Sequence, residues 1–116
     1  MSDFEFGPIR FVVEHRLVGG DGGPTLRVHD SAGGRELLRF DCFAKGPHWH
    51  VDPGGNDVIS TMDGIESPLD WVLGELRRDL PGYLARAKFD SQLPAGSDAK
   101  LDEVEKALRN LPSSLA

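Results

Sequence analysis

The chain has 116 residues, the size of one domain, and carries 13 Lys and Arg against 19 Asp and Glu, a formal charge of −6. That balance excludes broad non-specific attachment to nucleic acid, which needs many phosphate contacts from Lys and Arg, and 39% apolar residues supply one core rather than two. No run of about 18 apolar residues offers a membrane span, "MSDFEFGPIR" has no basic start followed by an apolar run, and the single Cys42 cannot close an internal disulfide, so the expectation is a cytoplasmic protein forming one α+β domain over residues 1–116, with no membrane partner.

Residues 9–18, IRFVVEHRLV, are rich in β-branched side chains and read as a strand. Alternation puts Phe11, Val13, His15 and Leu17 on one face and Val12, Glu14 and Arg16 on the other. GGDGGP (19–24) reads as a plain turn, since it lacks the Lys-Ser/Thr of a phosphate-binding loop and no helical pattern follows. Residues 25–30 form a second strand, SAGG (31–34) a hairpin turn whose glycines accept positive φ, and residues 35–43 a third strand. In that strand Leu38, Phe40 and Cys42 share one face, and Leu37, Arg39, Asp41 and Phe43 the other. AKGP turns the chain into a short fourth strand at 48–51. DPGGND (52–57) turns it again, and VISTM (58–62) is a fifth strand or an extended edge.

The period then changes. SPLDWVLGELRRDL (67–80) is helical, with Leu69, Val72, Leu73, Leu76 and Leu80 forming an apolar stripe. Ser67 is the expected cap, Pro68 suits the first turn and Asp70 completes a capping box. Arg77 and Arg78 lie near the negative end of the helix dipole and read as a solvated pair. Pro81 kinks or stops the helix, with a further turn or two to Lys88. After a loop, residues 98–111 form a last helix with Leu101, Val104, Leu108 and Leu111 on one side. Asp102–Lys106 and Glu105–Arg109 are its i, i+4 pairs, and Pro112 its end. The expected architecture is α+β, an antiparallel β-meander of four to five strands (about 9–62) followed by two or three helices (about 67–88 and 98–111) packed on one face. The other face must be solvated, covered by a partner, or used.

The chemistry concentrates in GPHWHV (46–51), which holds His48 and His50, two of the four histidines. In an extended segment both project to one side and Trp49 to the other. Such a pair can bind one divalent metal, or divide the work of general base and acid. It can equally be polar surface beside a turn, with Trp49 as a core anchor. A hairpin between the third and fourth strands would bring Asp41 close to His48, where a carboxylate could orient an imidazole or raise its pKa. Arg39 could grip a phosphate or carboxylate with two hydrogen bonds. A catalytic set would be Arg39, Asp41, His48 and His50. A metal, the one cofactor considered, would use His48 and His50 with Asp41, Asp52 or Cys42 beside them, although Cys42 faces away from Asp41. His15 reads as a core-edge residue, His29 as a solvent-facing strand end, and Cys42 as a small buried hydrophobe.

The stretch LLRFDCFAKGPHWHVD (37–52) resembles the TumE-type toxins of small bacterial toxin–antitoxin modules. Over roughly residues 9 to 80 the order matches: a β-meander, an Arg-aromatic-Asp stretch (Arg39, Phe40, Asp41), a short gap, closely spaced histidines (His48, His50) and a helix. The same pattern fits an uncharacterised bacterial family that shares that fold alone. The toxin resemblance implies a growth-inhibiting protein acting on RNA and held inactive by a cognate antitoxin. It also implies metal-free cleavage, with one histidine as base, the other as acid, and Arg39 on the developing phosphate charge. The acidic charge runs against an RNA partner. The contrasting expectation is a non-enzymatic interaction module in which Trp49, Trp71 and the open sheet face pack on a second copy or a partner chain. An enzyme would bring the four polar residues within hydrogen-bond reach and open to water, whereas an interaction module would make that face apolar and contiguous.

Overall fold

The structure, a computed structural model, describes residues 1–111. Its elements are β1 (Ser2–Phe6), β2 (Ile9–Val18), β3 (Asp21–Asp30), β4 (Glu36–Asp41), β5 (His48–Val51), β6 (Val58–Thr61), α1 (Pro68–Arg86) and α2 (Ser97–Arg109). The strands form one antiparallel sheet in chain order, β1 to β6. Alternation within each strand and the register between strands sort the side chains into rows. One face carries Phe11, Val28, Leu38 and Val51 in one row, and Val13, Leu26, Phe40 and Trp49 in the next. The opposite face carries Val12, Arg27, Arg39, His50 and Ile59 in one row, and Glu14, Thr25, Asp41, His48 and Thr61 in the next.

The helices cover the apolar face. Val72, Leu73, Leu76, Leu80 and Leu84 of α1 and Leu101, Val104 and Leu108 of α2 join the sheet residues in one core. Each such side chain contributes about 1.5–3 kcal/mol on burial, which makes this layer the main source of stability. Phe40 meets Tyr83 of α1 edge to face at 5.9 Å. No helix among the described residues is long and apolar enough to cross a membrane.

The α+β meander holds, with differences of local origin. The described residues form six strands rather than four to five, because SDFEF pairs with the start of β2 around a tight turn in which Gly7 adopts φ 56°. β3 begins at Asp21, so only Gly19 and Gly20 of the glycine cluster are turn, and Gly22 to Pro24 belong to the ladder. Gly23 is needed there, since a Cβ would collide with the Cys42 backbone carbonyl. A register shift between Val28 and His29 sends Leu37 into the core, not onto the Arg39 and Asp41 face, and returns Glu36 to Arg39. The extra residue of a bulge breaks the period of two.

Among the described residues the helices number two. α1 continues to Arg86 through a break at Asp79 (φ −157°, ψ 56°), where the Asp79 carboxylate accepts from the Gly82 N–H at 3.1 Å and restarts the helix around Pro81. Ser67 occupies the cap position but donates its hydroxyl to Asp70 at 2.9 Å instead of capping a backbone N–H. Arg77 is not a free solvated end. It bridges to Asp102 at 2.8 Å and Glu105 at 2.9 Å, tying α1 to α2, so Asp102 serves this pair rather than Lys106. Glu105–Arg109 forms as expected at 2.8 Å. α2 ends at Arg109, with Asn110 as its C-cap, and the expected stop at Pro112 lies outside the described residues.

Candidate functional site

The β4–β5 hairpin sets Asp41 opposite His48 and Arg39 opposite His50, on the face away from the helices. All four expected site residues therefore meet. Asp41 is their hub and is 0% exposed. Its Oδ1 accepts from Arg16 Nη1 at 2.8 Å and Thr25 Oγ1 at 2.9 Å. Its Oδ2 accepts from Arg39 Nε at 3.1 Å and faces His48 Nε2 at 3.2 Å and His50 Nε2 at 3.6 Å. Burial alone would push this carboxyl's pKa up. The hydrogen bonds from Thr25 and Arg39, with the positive charges of Arg39 and Arg16, outweigh burial and hold it below the ordinary carboxylate value.

The hydrogen-bond partners settle how the imidazoles are oriented. An arginine has only donors and a carbonyl oxygen only accepts. Arg39 Nη2 lies 2.9 Å from His50 Nε2, so that nitrogen accepts, and His50 donates its Nδ1–H to Asp57 at 2.7 Å. His48 donates its Nδ1–H to the Gly46 carbonyl at 2.8 Å, which turns Nε2 toward Asp41. The two rings meet edge to face with centroids 5.0 Å apart, and Phe43 packs against His48 at 5.6 Å. His50 is sealed, whereas His48 and Arg39 keep 26% and 20% of their side chains exposed. One ligand atom each from Asp41, His48 and His50 lie within 4.8 Å of one another, a grouping able to hold a metal ion.

Beyond the hub the charges alternate. Arg39 Nη1 reaches Glu36 at 3.3 Å, and Glu36 accepts from Arg27 at 2.6 Å, which in turn reaches Glu14 at 2.8 Å. Around the hub this face is an ordered polar lattice, with Val12 and the exposed Ile59 in the same row. Trp49 and Trp71 meet each other with centroids 5.0 Å apart, Trp49 packing against the core from the helix-covered side, so they do not extend the open face.

The other candidates lie elsewhere. Asp52 pairs with Arg35 at 2.7 Å and accepts from the Asn56 N–H at 3.1 Å, which makes it part of its turn. Cys42 is buried facing the core, and burial, with the neighbouring Asp41 charge second, pushes its thiol up to about 12. His29 is half-buried, with Nδ1 3.1 Å from the Gly34 carbonyl, and His15 sits at the core edge as expected. The sequence reading missed Arg16, Thr25 and Asp57. Alternation already placed Arg16 on the polar face, but only the register across β2, β3 and β4 aims it at Asp41. Asp57 closes the DPGGND turn and so returns beside β5. A cavity of about 560 Å³ is lined by Phe43, Lys45, Met62, Asp63 and Ile65 among others, and by none of Arg39, Asp41, His48 and His50.

A family model described as a domain of unknown function, DUF7700, matches residues 3–113. Neither the curated proteins nor the solved structures contain a match to the chain.

Proposed function

We propose that this chain, which belongs to the DUF7700 family, binds one divalent transition-metal ion through Asp41, His48 and His50. One observation carries the reading. Each imidazole has its Nδ1–H held by an acceptor, Gly46 O for His48 and Asp57 for His50, and turns its Nε2 toward the same Asp41 oxygen. Metal-ligating histidines are held in this way by a carbonyl or carboxylate on the far nitrogen, which fixes the tautomer and raises ligand basicity. The His48 Nε2 lone pair and the Asp41 carboxylate also both seek positive charge across 3.2 Å, a need that a proton or a metal ion meets. Two imidazoles and one carboxylate suit Zn, Cu, Fe or Ni rather than Mg or Ca.

Equilibrium dialysis against Zn²⁺, with the bound metal counted by mass spectrometry, tests this. The expected result is one ion per chain in the wild type and loss of that ion in both His48→Ala and His50→Ala. Zinc retained at the wild-type level by either variant, or no zinc bound by the wild type, would overturn the proposal.

A second reading is favoured by the convergence of Arg39, Asp41, His48 and His50, with His48 and Arg39 part exposed. In it the chain acts on RNA as a toxin, His48 handles the proton and Arg39 and Arg16 receive phosphate charge. His50, closed between Arg39 and Asp57, then positions Arg39 rather than serving as a second acid or base. A cognate antitoxin would cover this face.

A further inference from the structure

We infer that Arg39 is the resident cation of the proposed metal site, and that a metal ion binds only by exchanging with its guanidinium. The inference rests on the metal-binding reading above and adds how that site is controlled. Arg39 spans two of the three ligand atoms with one edge, Nε to Asp41 Oδ2 at 3.1 Å and Nη2 to His50 Nε2 at 2.9 Å. The Nε2 of a neutral imidazole has a single lone pair. It can accept from Arg39 or bind a metal, not both, and the other ring nitrogen of His50 is committed to Asp57. Ligation by His50 therefore requires the guanidinium to leave.

The fold provides a place for it to go. Glu36 Oε1 already lies 3.3 Å from Arg39 Nη1, and the side chain is 20% exposed, so it can swing outward while keeping its carboxylate partner. The exchange takes one positive charge off Asp41 and brings two, and the carboxylate oxygen is never left bare. Arg16 and Thr25 bind the other oxygen throughout and hold the carboxylate in place. The consequence is selectivity by competition. Ions that bind imidazole weakly, such as Mg²⁺, cannot displace the guanidinium, whereas Zn²⁺, Ni²⁺ or Cu²⁺ can.

The test compares Zn²⁺ affinity in the wild type and in Arg39→Met, which keeps the length of the stem and removes the competing donors. A hydrogen bond to a charged group is worth enough that its loss should tighten binding about 10- to 100-fold. Arg39→Lys, which keeps a cation but not the two-point grip, should fall between. Thermal melts establish that each variant is folded. In the wild type, Zn²⁺ should also shift the Arg39 Nε–H resonance and speed its exchange with water, a change that a purely structural arginine would not show. If the wild type binds zinc and Arg39→Met binds equally or more weakly, the exchange is refuted and the metal site stands. If neither binds, both ideas fall. Binding by Arg39→Met alone would also refute the exchange, since zinc would then be unable to displace the guanidinium.

Discussion

Asp41→Asn isolates the hub with almost no change of shape. The carboxylate serves three close donors, Arg16 and Thr25 on one oxygen and Arg39 on the other, where it also faces the His48 Nε2 lone pair. Asparagine keeps one acceptor oxygen, so if that oxygen stays with Arg16 and Thr25 its NH₂ faces the Arg39 N–H, an unpaired donor against a donor in a site that is 0% exposed, and the charge that paired both arginines is gone. Breaking a buried pair by removing one partner typically costs about 3–5 kcal/mol. The arginine partners are 24% and 20% exposed and regain some hydration, which lowers the expectation to about 2–4 kcal/mol. For a chain of this size that corresponds to a fall of roughly 8–16 °C in Tm. Urea titration followed by circular dichroism, with an unchanged slope against denaturant, measures the loss directly. A loss under about 1 kcal/mol would refute the view that Asp41 organises this face.

Three further outcomes are expected. The folded Asp41 carboxyl titrates below its unfolded value near 3.8, so its stabilisation is complete above that pH and drains away as pH falls through the folded value. The stability gap between wild type and Asp41→Asn should shrink below about pH 4, and a gap that widens there would contradict the sign. Gly23→Ala should destabilise by about 1–3 kcal/mol through its clash with the Cys42 carbonyl, while Gly74→Ala, exposed in α1 with open space beside it, should stabilise by about 0.5–1 kcal/mol; melts showing the same sign for both would count against the β3 packing. On the RNA reading, induced wild type arrests bacterial growth and His48→Ala, accumulating as folded protein, does not; unimpeded growth with the wild type argues against that reading in the host used.

Much of this was legible because the relevant signals are local. A hairpin joining two short strands fixes which residues oppose each other, so Asp41 beside His48 followed from two turns and a period of two. Leu37 was misplaced because a bulge is invisible to alternation, and it takes the observed register to see that one strand carries an extra residue. β1 was overlooked because a five-residue edge strand with Asp3 and Glu5 alternating against Phe4 and Phe6 is short and half charged. Arg16 and Asp57 were not assigned because their roles depend on which strand lies two places away or where a turn deposits its last residue. Those are facts of tertiary register, not of composition.

The sheet order has a kinetic consequence. Every strand pairs with its neighbour in sequence, so the sheet can zip one hairpin at a time with small loops to close, the arrangement that favours rapid folding. Docking of α2 is the long-range step. α2 docks onto β1, β2 and β3, and it can do so only after residues near 101–108 have been made. During synthesis the polar lattice can form on one side of the meander while the apolar side still waits for its helices. The interval between those events is when the chain is most exposed to aggregation, and α2 is the element that ends it.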